Sequence, residues 1–236
     1  MNAAAAAAGK PVAAVSWSAG KDSCLAWLRA VEAGLDVRSF LTMCDAGGLS
    51  KSHVLPPALI AAQVRSMGGA WVPALASPSE YADVFNAALR ALRDAGHTHM
   101  VFGDIDLQAH RDWLEPACAR AGLVAVFPLW GEARAALAQE VIARGIRARL
   151  VCVDTRWLDA SFCGADYDAA LLARLPTGVC PVGEGGEFHT FVIDAPGFAA
   201  PLPIGNGPQQ VVASSPPLAP TTLVLQALVL QQGAAP

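Results

Sequence analysis

Six consecutive residues, Ser18-Ala19-Gly20-Lys21-Asp22-Ser23, have the make-up of an anion site. They follow a short apolar, β-branched run (Pro11 to Trp17). They precede a stretch with Leu25, Leu28 and Val31 at helical spacing, which Gly34 stops. The six residues therefore join a strand to a helix. At a helix N-terminus the backbone N–H groups point outward and the helix dipole favours negative charge. Ser18, Ala19 and Gly20 are small enough to let the backbone approach phosphates, although the Ala19 methyl could exclude a left-handed backbone conformation. Lys21 adds a positive charge and Ser23 a hydroxyl, while Asp22 could position magnesium or orient the loop. The competing reading is an ordinary turn with a surface lysine. A Walker A loop is excluded, because Asp22 follows Lys21 and Val15 stands where the first glycine should be. The Rossmann G-x-G-x-x-G fingerprint is absent as well.

A second stretch with chemistry in it runs from Gly183 to Pro196, beginning Gly183-Glu184-Gly185-Gly186-Glu187-Phe188-His189-Thr190. Two glutamates beside a glycine-rich turn could form an acid/base pair or hold a cation. Alternatively the stretch is a polar turn leading into a strand that buries Phe188. His189 reads as a half-buried strand histidine. Asp104 and Asp106, in Gly103-Asp104-Ile105-Asp106, stand at a predicted strand end, where magnesium or ribose contacts belong in an open sheet. A solvated loop aspartate fits Asp106 better. His97 and His99 form a surface H-x-H that reads as inert. Ser52 and His53 could face a nucleotide. The six tryptophans are expected in core packing, with Trp17 supporting the loop.

These residues need a scaffold, and the pattern supplies one. Strands are expected at Val37–Cys44, Trp71–Leu75, His99–Phe102, Val124–Phe127 and Ala148–Val153. Helices are expected at Asp22–Ala33, Pro57–Met67, Ser79–Ala95, Arg111–Ala121 and Glu132–Arg144. Such alternation predicts an α/β fold, a Rossmann-like open parallel sheet with helices on both faces, carrying ligands at the carboxyl ends of its strands. Beyond about residue 135 the rhythm becomes irregular, including Asp154–Gly164. A smaller C-terminal α+β domain is expected over 135–213, with a strand at Phe188–Ile193. A larger N-terminal domain carrying the phosphate turn is expected over 11–134, a flexible tail over 1–10, and a Pro-rich segment with a terminal strand or tail over 214–236 (strand Thr222–Leu230).

The 236 residues carry a net charge of -4, which gives no electrostatic footprint for nucleic acid. No apolar run approaches the roughly 20 residues a membrane span needs. The start, Met1-Asn2 and then alanines, lacks the basic and leucine-rich parts of a secretion signal, so a cytoplasmic protein is expected. The six cysteines include no CxxC pair and read as buried or free thiols. Only Lys10, Lys21 and Lys51 stand against many arginines, and alanine is abundant, which suggests a GC-rich bacterial genome.

Ser18-Ala19-Gly20-Lys21-Asp22-Ser23 after an apolar strand resembles the S-G-G-x-D-S loop of the PP-loop ATP pyrophosphatases. Glu184–Thr190 resembles the E-G-G-E-F-x-T segment of the diphthine–ammonia ligase family within them. Gly103-Asp104-Ile105, then Arg111, Glu115, Cys118 and Gly122-Leu123, then Pro128-Leu129-Trp130 agree in order, so the likeness spans about residues 12 to 198. It implies an enzyme that cleaves ATP between the α and β phosphates, forms an acyl-adenylate, and amidates the acid with ammonia or another amine. By that resemblance Lys21, Asp22, Glu184 and Glu187 serve catalysis. Ser18, Ala19, Gly20, Lys21, Asp22, Ser23, Met43, Gly103 and Asp104 surround ATP, the last strand-end contact at Met43 being through backbone to adenine. Asp22 and Asp104 hold Mg2+, and Gly185, Gly186, His189 and Thr190 meet the substrate. Diphthamide belongs to eukaryotes and archaea, so a bacterial member implies a different small-molecule or protein-borne acid. A homodimer is an open expectation. Two further readings are a tRNA-modifying or sulfur-transferring PP-loop enzyme, which the missing paired cysteines count against, and a non-catalytic ATP sensor, which the glutamate-rich segment counts against.

Overall fold

The computed structural model describes residues 9–50, 55–214 and 220–231. Ser52 and His53, the first eight residues of the tail and most of the Pro-rich segment lie outside them. β1 (Val12–Ser16) is apolar from Val12 to Val15 because both of its faces are covered. Ala13 and Val15 point to one core and Ala14 to another, all at 0 % exposure. β1 pairs in parallel with β2 (Asp36–Cys44), which pairs in parallel with β3 (Ala70–Leu75). On its other side β1 pairs with β4 (His99–Val101), and β4 with β5 (Val124–Val126), again in parallel. The order is β3-β2-β1-β4-β5.

The connecting helices are α1 (Lys21–Glu32), α2 (Pro57–Ser66), α3 (Tyr81–Asp94) and α4 (Gln108–Ala121). Leu25 of α1 and Leu59, Ile60 and Val64 of α2 pack on the Ala13–Val15 face. Phe85, Leu89 and Leu92 of α3 and Leu114 and Cys118 of α4 pack on the Ala14 face. The sheet is thus Rossmann-like with helices on both faces, as the alternation predicts. Its order reverses between β1 and β4, which splays the two following loops apart and opens a crevice there.

α5 (Arg134–Ala143) leads into a second, antiparallel sheet of order β7-β6-β9-β8. Its strands are β6 (Arg147–Asp154), β7 (Phe188–Asp194), β8 (Ile204–Ala213) and β9 (Thr222–Leu230). A 3-10 turn at Ala160–Phe162 and the short α6 (Ala169–Arg174) lie between β6 and β7. β9 sits between β6 and β8, so it is an interior strand of this sheet rather than a segment apart. β8 and α6 are not expected from the sequence; Gly205, Gly207 and Pro208 break the strand pattern of β8, which forms because β9 pairs along it.

One expectation is corrected here. His97 is not on the surface: it is buried, with Nδ1 3.0 Å from the Leu92 carbonyl and Nε2 3.0 Å from the Ser39 hydroxyl. All six cysteines are buried and unbridged, and burial pushes the thiols of Cys118 and Cys152 up to about 12.

Candidate active site

The turn from β1 into α1 is fixed by a ring of buried hydrogen bonds. Trp17 donates its backbone N–H to the Leu41 carbonyl at 2.7 Å and its indole Nε1 to Gln63 Oε1 at 2.7 Å. Gln63, from α2, turns its amide nitrogen to the carbonyls of Ala19 (3.2 Å) and Val192 (2.6 Å). The Val192 N–H of β7 then donates to the Ala19 carbonyl at 2.9 Å. Every polar atom of this buried amide is therefore used, and β7 is bound to the turn.

Ala19 itself has φ 70°, the one non-glycine in the left-handed region among the described residues. The methyl does not exclude that conformation. It costs roughly 1–2 kcal/mol, and the two donors on the Ala19 carbonyl hold it there. Thr190 of β7 accepts the Lys21 N–H at 3.1 Å, supplying a partner that the first turn of a helix lacks. The N–H groups of Asp22 and Ser23 belong to that same turn. The Ser18 and Ser23 hydroxyls are 3.1 Å apart.

Lys21 is turned inward. It is 2 % exposed, and its ammonium donates to the Val182 carbonyl at 2.5 Å and to Asp22 Oδ2 at 2.9 Å. The rings of Phe188 and Tyr167 face it at 5.3 and 5.4 Å. Glu187 also turns inward, where its carboxylate accepts the backbone N–H groups of Cys180 (3.2 Å) and Gly185 (2.8 Å). Tyr167 donates to the Pro181 carbonyl at 2.7 Å. These bonds shape residues 180–187 into a loop whose free side carries Glu184.

Gly103 explains how the third wall comes so close. A Cβ there would lie 2.9 Å from the Ser23 backbone nitrogen, so only glycine lets the loop after β4 cross the first turn of α1. The result is a cleft of about 710 Å³ at the carboxyl ends of β1 and β4. Ser18, Asp22, Ser23, Gly103, Asp104, Glu184, Gly186, His189 and Thr190 line it together. Ala19, Gly20, Lys21, Gly185 and Glu187 do not, and stand behind those that do. Met43 packs against the core between the sheet and α3 and α4, away from the cleft wall.

Residues 11–125 match the family model of the diphthamide synthase N-terminal domain, and residues 133–211 that of its C-terminal domain. The chain belongs to the diphthamide synthase family. It is thereby a nucleotide-binding protein of the PP-loop group. No curated protein matches it. A crystal structure described as a predicted subunit of tRNA methyltransferase from Methanocaldococcus jannaschii is similar at 15 % identity, with a TM-score of 0.45. The likeness covers 78 % of this chain and 98 % of that one.

The electrostatics of this cleft are set by burial and by carboxylates. Burial raises the Glu184 carboxyl to about 7; Asp22, Asp106 and Asp104 push the same way, and Arg134 opposes them. Burial, helped by the Lys21 charge, lowers His189 to about 4, so its ring is neutral at physiological pH. Asp104 Oδ1 lies 2.8 Å from His110 Nδ1. Asp106 is held by Arg134 through two 2.8 Å hydrogen bonds, which keep it below the usual carboxylate range. Among the described residues no three His, Cys, Asp or Glu side chains gather into a metal cage. Magnesium does not require one. It binds through one or two carboxylates together with substrate phosphates and water. Asp22 and Asp104, with partly exposed carboxylates on one cleft, fit that demand.

Sequence reasoning missed the other wall, formed by Tyr81, Phe85, Phe102, Leu107, His110 and Trp113. Its one available signal was the spacing of Leu107, His110 and Trp113, three residues apart as α4 leaves the Gly103-Asp104 strand end.

Proposed function

We propose that the protein is an ATP-dependent ligase that activates a carboxylate as its acyl-adenylate, releasing pyrophosphate, and transfers the acyl group to nitrogen. What supports this most is that the phosphate turn and the Glu184 loop, 161 residues apart where Lys21 meets Val182, line a single cleft. A phosphate site alone accounts for ATP binding. A second carboxylate with a raised proton affinity beside it accounts for chemistry on an acceptor.

In this reading the acid's oxygen attacks the α-phosphorus, and the bond from that phosphorus to the bridging oxygen breaks. The Asp22 and Ser23 N–H groups and the Ser18 and Ser23 hydroxyls receive the departing pyrophosphate, at the end of α1 where the dipole favours negative charge. Magnesium held by Asp22 and Asp104 would neutralise charge on the phosphates. Lys21 acts through its neighbours, fixing Asp22 from behind and holding the 180–187 loop against the turn. Glu184 takes a proton from the nitrogen nucleophile, which then attacks the acyl carbon as AMP leaves. Neutral His189 offers a hydrogen bond without adding charge.

Pyrophosphate–ATP exchange across a panel of carboxylic acids tests the reading. Exchange is expected only with a matching acid and falls about 100-fold or more in Asp22→Ala. Glu184→Gln retains exchange within about three-fold while amide formation falls about 100-fold or more. Formation of ADP, or exchange that needs no acid and survives Asp22→Ala, overturns it.

A further inference from the structure

The residues given roles in phosphate binding and proton transfer leave one wall of the cleft without a role, and that wall is aromatic. Tyr81 and Phe85 come from α3 and Trp113 from α4, with ring centroids 4.9 Å apart for Phe85 and Trp113 and 6.0 Å for Tyr81 and Trp113. Trp113 is 36 % exposed and Leu107 38 %, and both line the cleft, while Phe85 beside Trp113 is buried at 2 %. Large apolar groups kept open in a concave site mark a place where a ligand completes the packing.

The charges around this wall say which ligand. Among the described residues no lysine or arginine lines the cleft: Lys21 is turned to Val182, and Arg134 is spent on Asp106. Its ionisable groups are Asp22, Asp104 and Glu184, with His110, His189 and the Tyr81 phenol. An anion on the aromatic wall would meet carboxylates and the negative faces of rings. A cation would be attracted by both.

We infer that the Tyr81–Phe85–Trp113 wall binds the nitrogen nucleophile, and that this nucleophile is an organic primary amine with a flat apolar body, arriving as its ammonium ion. Free ammonia would need no such wall. The nucleophilic role rests on the ligase reading above. The ammonium gives one proton to the Glu184 carboxylate, and the neutral amine attacks the acyl carbon. A C–N bond forms, the C–O bond to AMP breaks, and the second proton leaves the nitrogen for solvent.

The test is calorimetric titration of the full chain, without ATP, with phenethylamine, 2-phenylethanol and 3-phenylpropionate. Phenethylamine is expected to bind about ten-fold or more tighter than the other two. Trp113→Ala and Tyr81→Leu, on different helices, each weaken it about ten-fold, with thermal melts confirming that each variant folds. Trp157→Ala, at an exposed tryptophan outside the cleft, leaves it unchanged. Tighter binding of the acid or the alcohol overturns the inference. So does a ten-fold loss of ATP affinity in both wall variants, which would make the wall the adenine site. Acid-dependent exchange is measured separately without amine. Exchange with no amine binding overturns this inference alone; amine binding with no exchange for any acid overturns the ligase reading and, with it, the nucleophilic role.

Discussion

Ala19 sits in a backbone region that glycine enters freely and alanine does not, and hydrogen bonds to its carbonyl keep it there. Replacing a buried alanine with glycine usually destabilises, by about 1 kcal/mol in a helix. At Ala19 the relief of the left-handed strain, roughly 1–2 kcal/mol, offsets the added freedom of the unfolded chain. Ala19→Gly is therefore expected to unfold within about 0.5 kcal/mol of the parent or above it, whereas Ala26→Gly, in the buried middle of α1, loses about 1–2 kcal/mol. Denaturant midpoints compare the two, and equal losses would contradict the strain argument. Glu184 supplies a second residue-scale expectation. Its folded proton affinity is raised to about 7, chiefly by burial, so the folded state holds the proton more tightly than the unfolded chain does. The stability it contributes is complete below the unfolded carboxylate range near 4.3 and is lost as pH rises through about 7. Glu184→Gln should therefore gain on the parent between pH 5 and pH 8 in urea unfolding, and a constant difference across that range would refute the shift.

At the scale of elements, the phosphate turn depends on two pieces far from it in sequence: Gln63 of α2, and β7. Gln63→Leu keeps the volume but leaves the Trp17 indole N–H and a backbone carbonyl unpaired in the core. A loss of about 2–4 kcal/mol is expected, together with weaker ATP binding. A loss under about 1 kcal/mol, measured by chemical unfolding, would mean that the ring around Ala19 does not hold the turn. This dependence was not legible in the sequence, where a glutamine in a helix looks like a solvent-facing residue. The parallel strands and their helices were legible, because β1 and the later half of β2 carry consecutive buried residues and each strand is followed by helical spacing. The turn itself was legible from its small residues. The direction of Lys21 was not, since nothing local says that the Val182 carbonyl and two aromatic rings will compete for its ammonium. Glu187 likewise reads as a reactive carboxylate until the Cys180 and Gly185 N–H groups are seen on it. The aromatic wall stayed hidden for a similar reason: Tyr81, Phe85 and Trp113 fit a core stripe at helical spacing, and only the order reversal between β1 and β4 leaves them beside an open cleft.

Across the whole molecule, the two sheets behave as one body because they share a core. Trp17, Leu25 and Ile60 of the first sheet's layer belong to one continuous apolar cluster with Val151, Phe191 and Val192 of the second. α5 adds a polar clasp on the outside. Arg29 of α1 pairs with Glu132 and with Glu140 of α5, and Arg144 pairs with Glu32 and Glu140. Exposed pairs of this kind contribute little each, so the shared core is what couples the halves. The consequence for function is that the Glu184 loop cannot drift from the phosphate turn without opening that core at β7. The consequence for stability is a single cooperative transition. Scanning calorimetry should give one peak with an enthalpy on the order of 150 kcal/mol near 60 °C, about 0.7 kcal/mol per residue, and a van't Hoff enthalpy equal to it. A van't Hoff value near half the calorimetric one, or two resolved peaks, would mean that the halves melt independently. The cleft would then be a joint between moving parts, and the placement of Glu184 against the phosphate turn would have to come from bound substrate instead of the fold.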